Sequence, residues 1–86
     1  MDQYKEGCLV CSRAGHDKGK LYIIMAVNGE YVFLVDGKTR TIHNPKKKKK
    51  KHICYVSDSL FKEDESFEDD KIKHAIKQAR RKLQSK

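Results

Sequence analysis

Short apolar runs alternate with turn residues through residues 7–56 of this chain. The runs are rich in β-branched and aromatic residues, and the dipeptides Asn28-Gly29 and Asp36-Gly37 lie at their ends. Asn-Gly and Asp-Gly are preferred in two-residue type I′ turns, which join antiparallel strands. The pattern therefore predicts a β meander with strands at residues 7–12, 20–27, 30–35 and 38–43 and a fifth strand at 53–56.

Two-residue turns fix the register of neighbouring strands, so the sequence also predicts the two faces of the sheet. The register expected from the turns sets Val27 opposite Glu30 and Val35 opposite Lys38. One predicted face is aliphatic and suits a core: Ile23, Met25, Val32, Leu34, Thr39 and Thr41. The other is aromatic and contains a cation: Tyr22, Ile24, Ala26, Tyr31, Phe33, Arg40 and Ile42. The aromatic face is expected either to be covered by another part of the chain or to stack against RNA bases.

The C-terminal part of the chain has a helical pattern. Apolar residues recur at helical intervals and share one stripe: Ile72, Ala75, Ile76, Ala79 and Leu83. Ser66 and Asp69 have the spacing of a capping box, and the charges change from acidic to basic along the segment, which suits the helix dipole. We therefore predict a helix over residues 69–86. Its stripe must dock either on its own sheet or on a partner, and the sequence leaves this open.

Charge divides the chain into segments. The net charge is +8, yet residues 1–45 carry only +1, whereas residues 57–70 carry −6 and residues 71–86 carry +7. A run of six lysines occupies residues 46–51. Such a run is neutralised most readily by a polyanion, and a basic balance favours a nucleic-acid partner over other classes. The alternative for the run is a solvated linker.

The length of the chain bounds its function. With 86 residues it forms one domain that is too short for both a large core and a deep catalytic pocket. No nucleophile, base and orienting group occur at a recognisable spacing, so we predict a protein that is not an enzyme and has no cofactor or small-molecule substrate. The predicted parts are a β domain (5–56), an acidic connecting segment (57–68) and a basic amphipathic helix (69–86).

The cysteines do not indicate a metal site or a disulfide framework. There are three of them, an odd number. Cys8 and Cys11 have zinc-like spacing, and Cys54 and the four histidines could add ligands. However, positions 8 and 11 point to opposite faces of a strand, so we predict that no metal is bound.

The sequence predicts a cytoplasmic protein without membrane contact. No apolar stretch approaches the about 18 residues needed to span a bilayer, and the first residues do not resemble a signal peptide. Binding to an anionic membrane through the lysine run is disfavoured because no amphipathic apolar face or lipid-anchor motif adjoins it.

A motif in the first half of the chain resembles a known family. The segment Ala14-Gly15-His16-Asp17-Lys18-Gly19-Lys20, followed after a β-rich run by Val35-Asp36-Gly37, is similar to the KOW motif. More narrowly, it resembles the branch that includes KOW-type large-subunit ribosomal proteins of archaea and eukaryotes and their small bacterial relatives. The resemblance covers residues 5–56 and does not extend to residues 57–86. The segment is not a P-loop, because its glycine spacing is short and no helix is predicted after it.

The resemblance implies a mainly β fold, a small SH3-like barrel that binds RNA, here with a C-terminal helix. The glycine loop at residues 15–19 and the neighbouring basic residues would meet the RNA backbone. A further glycine common in the motif is replaced here at Leu21-Tyr22. The RNA-contact residues expected from the resemblance and from the lysine run are Arg13, Gly15, Lys18, Gly19, Lys20, Lys38, Arg40, Lys46, Lys47, Lys48, Lys49, Lys50, Lys51 and His52.

Two function classes follow. The first is an RNA-binding protein associated with the ribosome, which contacts the phosphate backbone of rRNA through basic loops and the lysine run. The second is a protein-interaction adaptor of a transcription or translation complex that uses the edge of the barrel and the C-terminal helix.

Overall fold

Five antiparallel strands form one sheet, and a helix follows them. The computed structural model describes residues 3–62 and 65–84. The strands are β1 (Leu9–Ser12), β2 (Leu21–Asn28), β3 (Tyr31–Val35), β4 (Lys46–Lys49) and β5 (Ile53–Ser57), with a single 3-10 turn (Lys50–His52) between β4 and β5 and the helix α1 at Asp69–Gln84. The strand order is β4-β3-β2-β1-β5, so that β4 and β5 are the edge strands. The predicted fold class, mainly β with a C-terminal helix, is confirmed.

The predicted strand at residues 38–43 is wrong. Residues 36–45 form a loop, because Asp36 Oδ1 accepts the backbone N–H groups of Lys38 (2.8 Å) and Arg40 (2.9 Å) and so turns the chain away from β3. The fourth strand is instead made by the lysines of β4, which pair with β3 from Tyr31↔Lys49 to Leu34↔Lys46. A lysine run thus forms part of the sheet, although the sequence suggested a loop or linker there.

The predicted register between β2 and β3 is also wrong, for two reasons. The turn consists of Gly29 and Glu30, and only Gly29 has a positive φ (60°), as in a type II′ rather than a type I′ turn. In addition, Met25 bulges out of β2, since the pairing shifts between Ile24 and Ala26. The extra residue reverses the side-chain directions of β2 before the bulge. The residues up to Ile24 therefore lie on the opposite face from the one expected.

The hydrophobic core consists of two layers, one on each face of the sheet. The interior layer contains Cys8, Val10, Tyr22, Ile24, Val32, Leu34 and Ile53. The second layer lies between the sheet and the helix and contains Leu9, Leu21, Ile23, Val35, Ile72 and Ile76. Tyr22 and Ile24, expected on the same face as Tyr31 and Phe33, are instead buried with Val32 and Leu34 because of the bulge.

The helix α1 docks on the sheet of its own chain, which answers the question that the sequence left open. Ile72 and Ile76 are buried against the sheet. The predicted capping box is wrong: Ser66 Oγ donates to Glu68, while Asp69 Oδ1 accepts the backbone N–H of Ile42 (2.9 Å) and so ties the helix start to the loop 36–45. Residues 63–64 of the acidic segment and the predicted helix end at residues 85–86 lie outside the described residues.

Gly37 allows the helix to approach the loop. Its φ is +80°, and a Cβ at this position would collide with the backbone of Asp69 and Lys73 near the start of α1. The loop and the helix therefore meet backbone to backbone at this point.

Within the described ranges, no helix has both the length and the apolar character that crossing a bilayer requires.

Candidate functional site

The alternation of side chains along β4 divides its lysines into two groups. Lys46 and Lys48 are half-buried, whereas Lys47 and Lys49 are exposed. Successive side chains of a strand point to opposite faces, so the first pair faces the interior and the second pair faces outward. Four consecutive lysines of the run therefore do not share one environment.

The two inward lysines converge on one buried carboxylate. Asp17, whose side chain is 6% exposed, accepts from Lys46 Nζ at Oδ2 (2.8 Å) and from Lys48 Nζ at Oδ1 (2.8 Å). Lys48 Nζ also donates to Ser12 Oγ (2.7 Å) and to the backbone oxygen of Ala14 (3.0 Å). A lysine ammonium has three N–H donors, so all three of Lys48 are used inside the protein.

The environment of Asp17 keeps it ionised. Burial alone would raise the pKa of Asp17, but the hydrogen bonds from Lys46, Lys48 and Ser12 together hold it well below its ordinary value. Burial and the negative charge of Asp17 raise the pKa of Tyr22 to about 12, and the Tyr22 hydroxyl lies 3.3 Å from Asp17 Oδ2. The cluster is thus a charged cross-link that attaches the glycine loop and its flanking residues (13–20) to β4.

The outward lysines lie beside two aromatic rings. Phe33 pairs with Lys47 and Tyr31 pairs with Lys49 in the β3–β4 ladder, so that the four side chains share one face. We call Tyr31, Phe33, Lys47 and Lys49 the aromatic–lysine face. Lys47 Nζ lies 4.4 Å from the centre of the Tyr31 ring, in a cation–π contact. Both rings are half-buried.

The remaining lysines of the run lie next to this face. Lys49, Lys50 and Lys51 border an open depression of about 400 Å³ together with Gly29 and Glu30 of the β2–β3 turn. The backbone N–H of Lys50 donates to the backbone oxygen of Glu30 (2.8 Å), which holds the 3-10 turn against the β2–β3 turn. Three neighbouring cations are therefore grouped at one edge of the sheet.

The residues expected at the glycine loop are placed at the surface. Arg13, Gly15, Lys18, Gly19 and Lys20 are all exposed. The backbone N–H of Arg13 donates to the backbone oxygen of His52 (2.8 Å), so the start of this loop is also attached to the 3-10 turn that follows β4. The glycine loop therefore contacts the lysine run through Asp17, and its flanking residue Arg13 contacts the 3-10 turn through this hydrogen bond.

The candidates Lys20 and Lys38 belong to a second basic region. They line a groove of about 730 Å³ together with three cations of α1: Lys73, Lys77 and Arg80. Asp36 and Asp70 line the same groove, so its cations are partly balanced. The sequence did not indicate the helix cations as part of a site, because nothing in it showed that α1 packs beside the loop 36–45. Arg40, another candidate, is half-buried in that loop and does not line the groove.

The cysteines lie as their spacing predicted. Cys8 belongs to the interior core layer, and Cys11 packs against the layer under the helix, so they occupy opposite faces. In the parts of the chain that the structure describes, no three Cys, His, Asp or Glu side chains are grouped in a way that could hold a metal ion.

Sequence reasoning missed the role of Asp17, although one signal for it exists. Asp17 is the only acid in the glycine loop, and it stands among basic residues. An isolated acid of this kind is a candidate partner for a cation brought near by the fold. Finding which lysines it binds required the position of β4.

Comparison with known proteins found no match. No protein-family model matches the chain, and no curated protein is significantly similar to it.

Proposed function

We propose that this protein binds RNA through the outward lysines of β4 and the neighbouring basic residues of the 3-10 turn and glycine loop. The observation that carries the proposal is the exposure of Lys47, Lys49 and Lys51 along one edge of the sheet. Closely spaced exposed cations repel one another, and a bound polyanion reduces this repulsion. Phosphate contacts of this kind supply most of the affinity for nucleic acid and little sequence preference.

The inward lysines have a different role in this proposal. Lys48 gives all its donors to Ser12, Ala14 and Asp17, so a phosphate could bind it only by breaking the buried cluster. Lys46 binds Asp17 as well, but 29% of its side chain stays exposed and can contribute to the surface potential. Of the six lysines, those that face outward are the expected phosphate contacts, and Lys48 positions them by fixing β4.

The more specific part of the proposal is that the nucleic acid is RNA, and in particular rRNA. It rests on the KOW-like residues of the glycine loop, whose glycines Gly15 and Gly19 both have positive φ and leave the loop backbone exposed. An exposed backbone can approach a phosphate closely. The proposal accordingly assigns the protein to the ribosome, as a structural or accessory component of translation in the cytoplasm.

Purified protein and RNA provide the first test. We expect the logarithm of the binding constant to fall linearly with the logarithm of the salt concentration, with a slope set by the number of phosphates neutralised. In cell extracts, the protein should co-sediment with ribosomes at low salt and be released at high salt. Absence of RNA binding at low salt would contradict the proposal, and RNA binding without co-sedimentation would contradict its ribosomal part alone.

A second candidate function is a protein-interaction adaptor, because an apolar groove lies at the surface of the described residues. It lies between α1 and β5, has a volume of about 520 Å³, and is bordered by Leu60 and Leu83, which are 41% and 56% exposed. A Leu83→Asp variant separates the two candidates. An adaptor loses its complexes in cells but keeps its affinity for purified RNA, whereas a protein that acts through RNA alone keeps both.

A further inference from the structure

We infer that the aromatic–lysine face binds unpaired nucleotides, with bases stacked on Tyr31 and Phe33 and phosphates held by Lys47 and Lys49. This inference rests on the proposed function and deepens it, because it specifies single-stranded RNA as the ligand. It also differs from the aromatic face expected from the sequence, since Tyr22 and Ile24 are buried in the core.

The position of the two rings in the sheet supports a ligand on this face. Tyr31 and Phe33 lie on the same side of β3 as Val35, which α1 covers. Among the described residues, however, neither ring belongs to the core layer under α1 or to the interior layer. The sheet therefore carries two half-buried aromatic rings beyond the area that the helix covers.

The spacing of the rings favours an unpaired strand over a duplex. Residues two apart on a strand are separated by about 6.5 Å, because each residue advances the chain by about 3.3 Å. Bases within a duplex are stacked about 3.4 Å apart and leave no room for a side chain between them. A single strand can separate its bases, so that each meets one ring, as in other proteins that bind unpaired nucleotides.

The cation–π contact between Lys47 and Tyr31 is compatible with this arrangement. Lys47 Nζ lies 4.4 Å from the ring centre. A base stacks on an aromatic ring more strongly than an exposed lysine does, so it can displace the ammonium. The released Lys47 then remains within reach of the phosphate that follows that base. The lysine thus protects the ring from water before binding and contacts the backbone afterwards.

The charges around the rings favour a nucleic acid over a protein partner. Lys47 and Lys49 flank the rings, and Lys50 and Lys51 continue along the same edge. Glu30, in the β2–β3 turn, is a carboxylate that borders this region. Rings flanked by several cations suit a ligand that alternates flat apolar groups with negative charges, which describes a single-stranded nucleic acid.

The test compares an oligouridine of about 12 nucleotides with an RNA duplex of the same length, by fluorescence anisotropy at fixed salt. The test variant is Tyr31→Leu with Phe33→Leu, which keeps both residues apolar but removes the rings. The control variant is Tyr31→Phe, which keeps the ring and loses only the hydroxyl. Circular dichroism and thermal unfolding establish that each variant is folded.

We expect wild-type protein to bind the oligouridine more tightly than the duplex. The double leucine variant should lose about 10- to 100-fold in affinity for the oligouridine and little for the duplex, whereas Tyr31→Phe should keep wild-type affinity. Equal binding of both RNAs with no loss in the double variant would overturn the stacking inference and leave the proposed function intact. No binding of either RNA would overturn both. If the double variant unfolds, NMR of the wild-type protein provides the test instead. The resonances of the Tyr31 ring should shift on addition of oligouridine if bases stack there. Unchanged resonances would overturn the inference.

Discussion

At the scale of single residues, the main finding is that identical side chains in one run have different roles. The Lys48 side chain is 10% exposed, and its ammonium group donates to three acceptors within the protein. Lys49, its neighbour, is exposed to solvent. The alternation of a β strand produces this difference without any difference in sequence. Asp17 determines which lysines become structural, since it is buried on the face that they reach.

The first prediction compares the same substitution at these two neighbours. Lys48→Met keeps the apolar stem but removes one of the two lysines that bind Asp17, and we expect the free energy of unfolding to fall by about 2–4 kcal/mol. Lys49→Met on the same strand should change it by less than about 0.5 kcal/mol. Urea denaturation of both variants measures the difference. Equal stabilities would mean that the buried cluster does not hold β4.

The second prediction concerns pH. Because the folded pKa of Asp17 lies below its unfolded value, the cluster contributes its full stability above the unfolded pKa of about 3.9 and loses it as the pH falls through the folded pKa. The Asp17→Asn variant lacks this contribution. The difference in the free energy of unfolding between wild type and variant should therefore be constant from pH 7 to about pH 5 and shrink below about pH 4. A difference that stays constant down to pH 2 would show that the charge of Asp17 does not stabilise the fold.

Residue-level inference from the sequence succeeded where it needed only the strand period. Cys8 and Cys11 lie on opposite faces as predicted, because their relation depends on a single strand. The sequence could not show which lysines face inward and which face outward, because this required knowing that β4 exists and which face of it meets Asp17. The half-buried rings of Tyr31 and Phe33 lie on one face as predicted, whereas Tyr22 does not share that face, because the bulge at Met25 lies between them.

At the scale of elements, local signals determined most of the fold. Strands β1, β2, β3 and β5 and the helix α1 occur close to where hydrophobic periodicity placed them. The fourth strand was misplaced for a physical reason. Asp36-Gly37 has the composition of a hairpin turn, but the Asp36 carboxylate binds its own backbone and begins a longer loop. Lysine has a low β propensity, so the run did not indicate a strand, and its pairing with β3 comes from tertiary context.

The third prediction compares alanine substitutions at two glycines. Gly29 and Gly37 both have positive φ, but a Cβ at Gly29 would meet open space, whereas one at Gly37 would meet the backbone of α1. Gly29→Ala should cost about 1–2 kcal/mol for strain alone. Gly37→Ala should cost at least about 1 kcal/mol more, because the helix must also move away. Thermal unfolding compares the two, and equal losses would mean that the contact between the loop 36–45 and α1 is not important for stability.

At the scale of the whole molecule, the fold converts a segmented charge pattern into separate surfaces. The helix α1 closes the second core layer with Ile72 and Ile76 and carries its cations to the groove that contains Lys20 and Lys38. The lysine run lies along the edge of the sheet, where β4 is attached to the glycine loop. The nucleic-acid partner expected from the basic composition stays a prediction. The sequence could not show which cations point outward, because that depends on long-range strand pairing.

The division of the lysine run into inward and outward residues also changes what a test of the whole run can mean. Replacing all of residues 46–51 by serine would remove both lysine partners of Asp17 and so weaken the fold together with any RNA site. A variant limited to Lys47, Lys49 and Lys51 leaves the buried cluster intact. The matched control removes the same charge at Lys5, Lys62 and Lys71, which lie near carboxylates: Lys5 and Lys62 border a depression with Glu6 and Glu65, and Lys71 is 3.8 Å from both Glu65 and Glu68.

The salt dependence of RNA affinity for these two triple serine variants is the most direct test of the outward lysines as the RNA site. If each outward lysine neutralises one phosphate, replacing Lys47, Lys49 and Lys51 should reduce the slope of log affinity against log salt by roughly 2–3, with unchanged thermal stability. The control variant should keep a slope close to that of the wild type. Equal slopes for the two variants, or a wild-type slope in the outward variant, would contradict the assignment of this face to RNA.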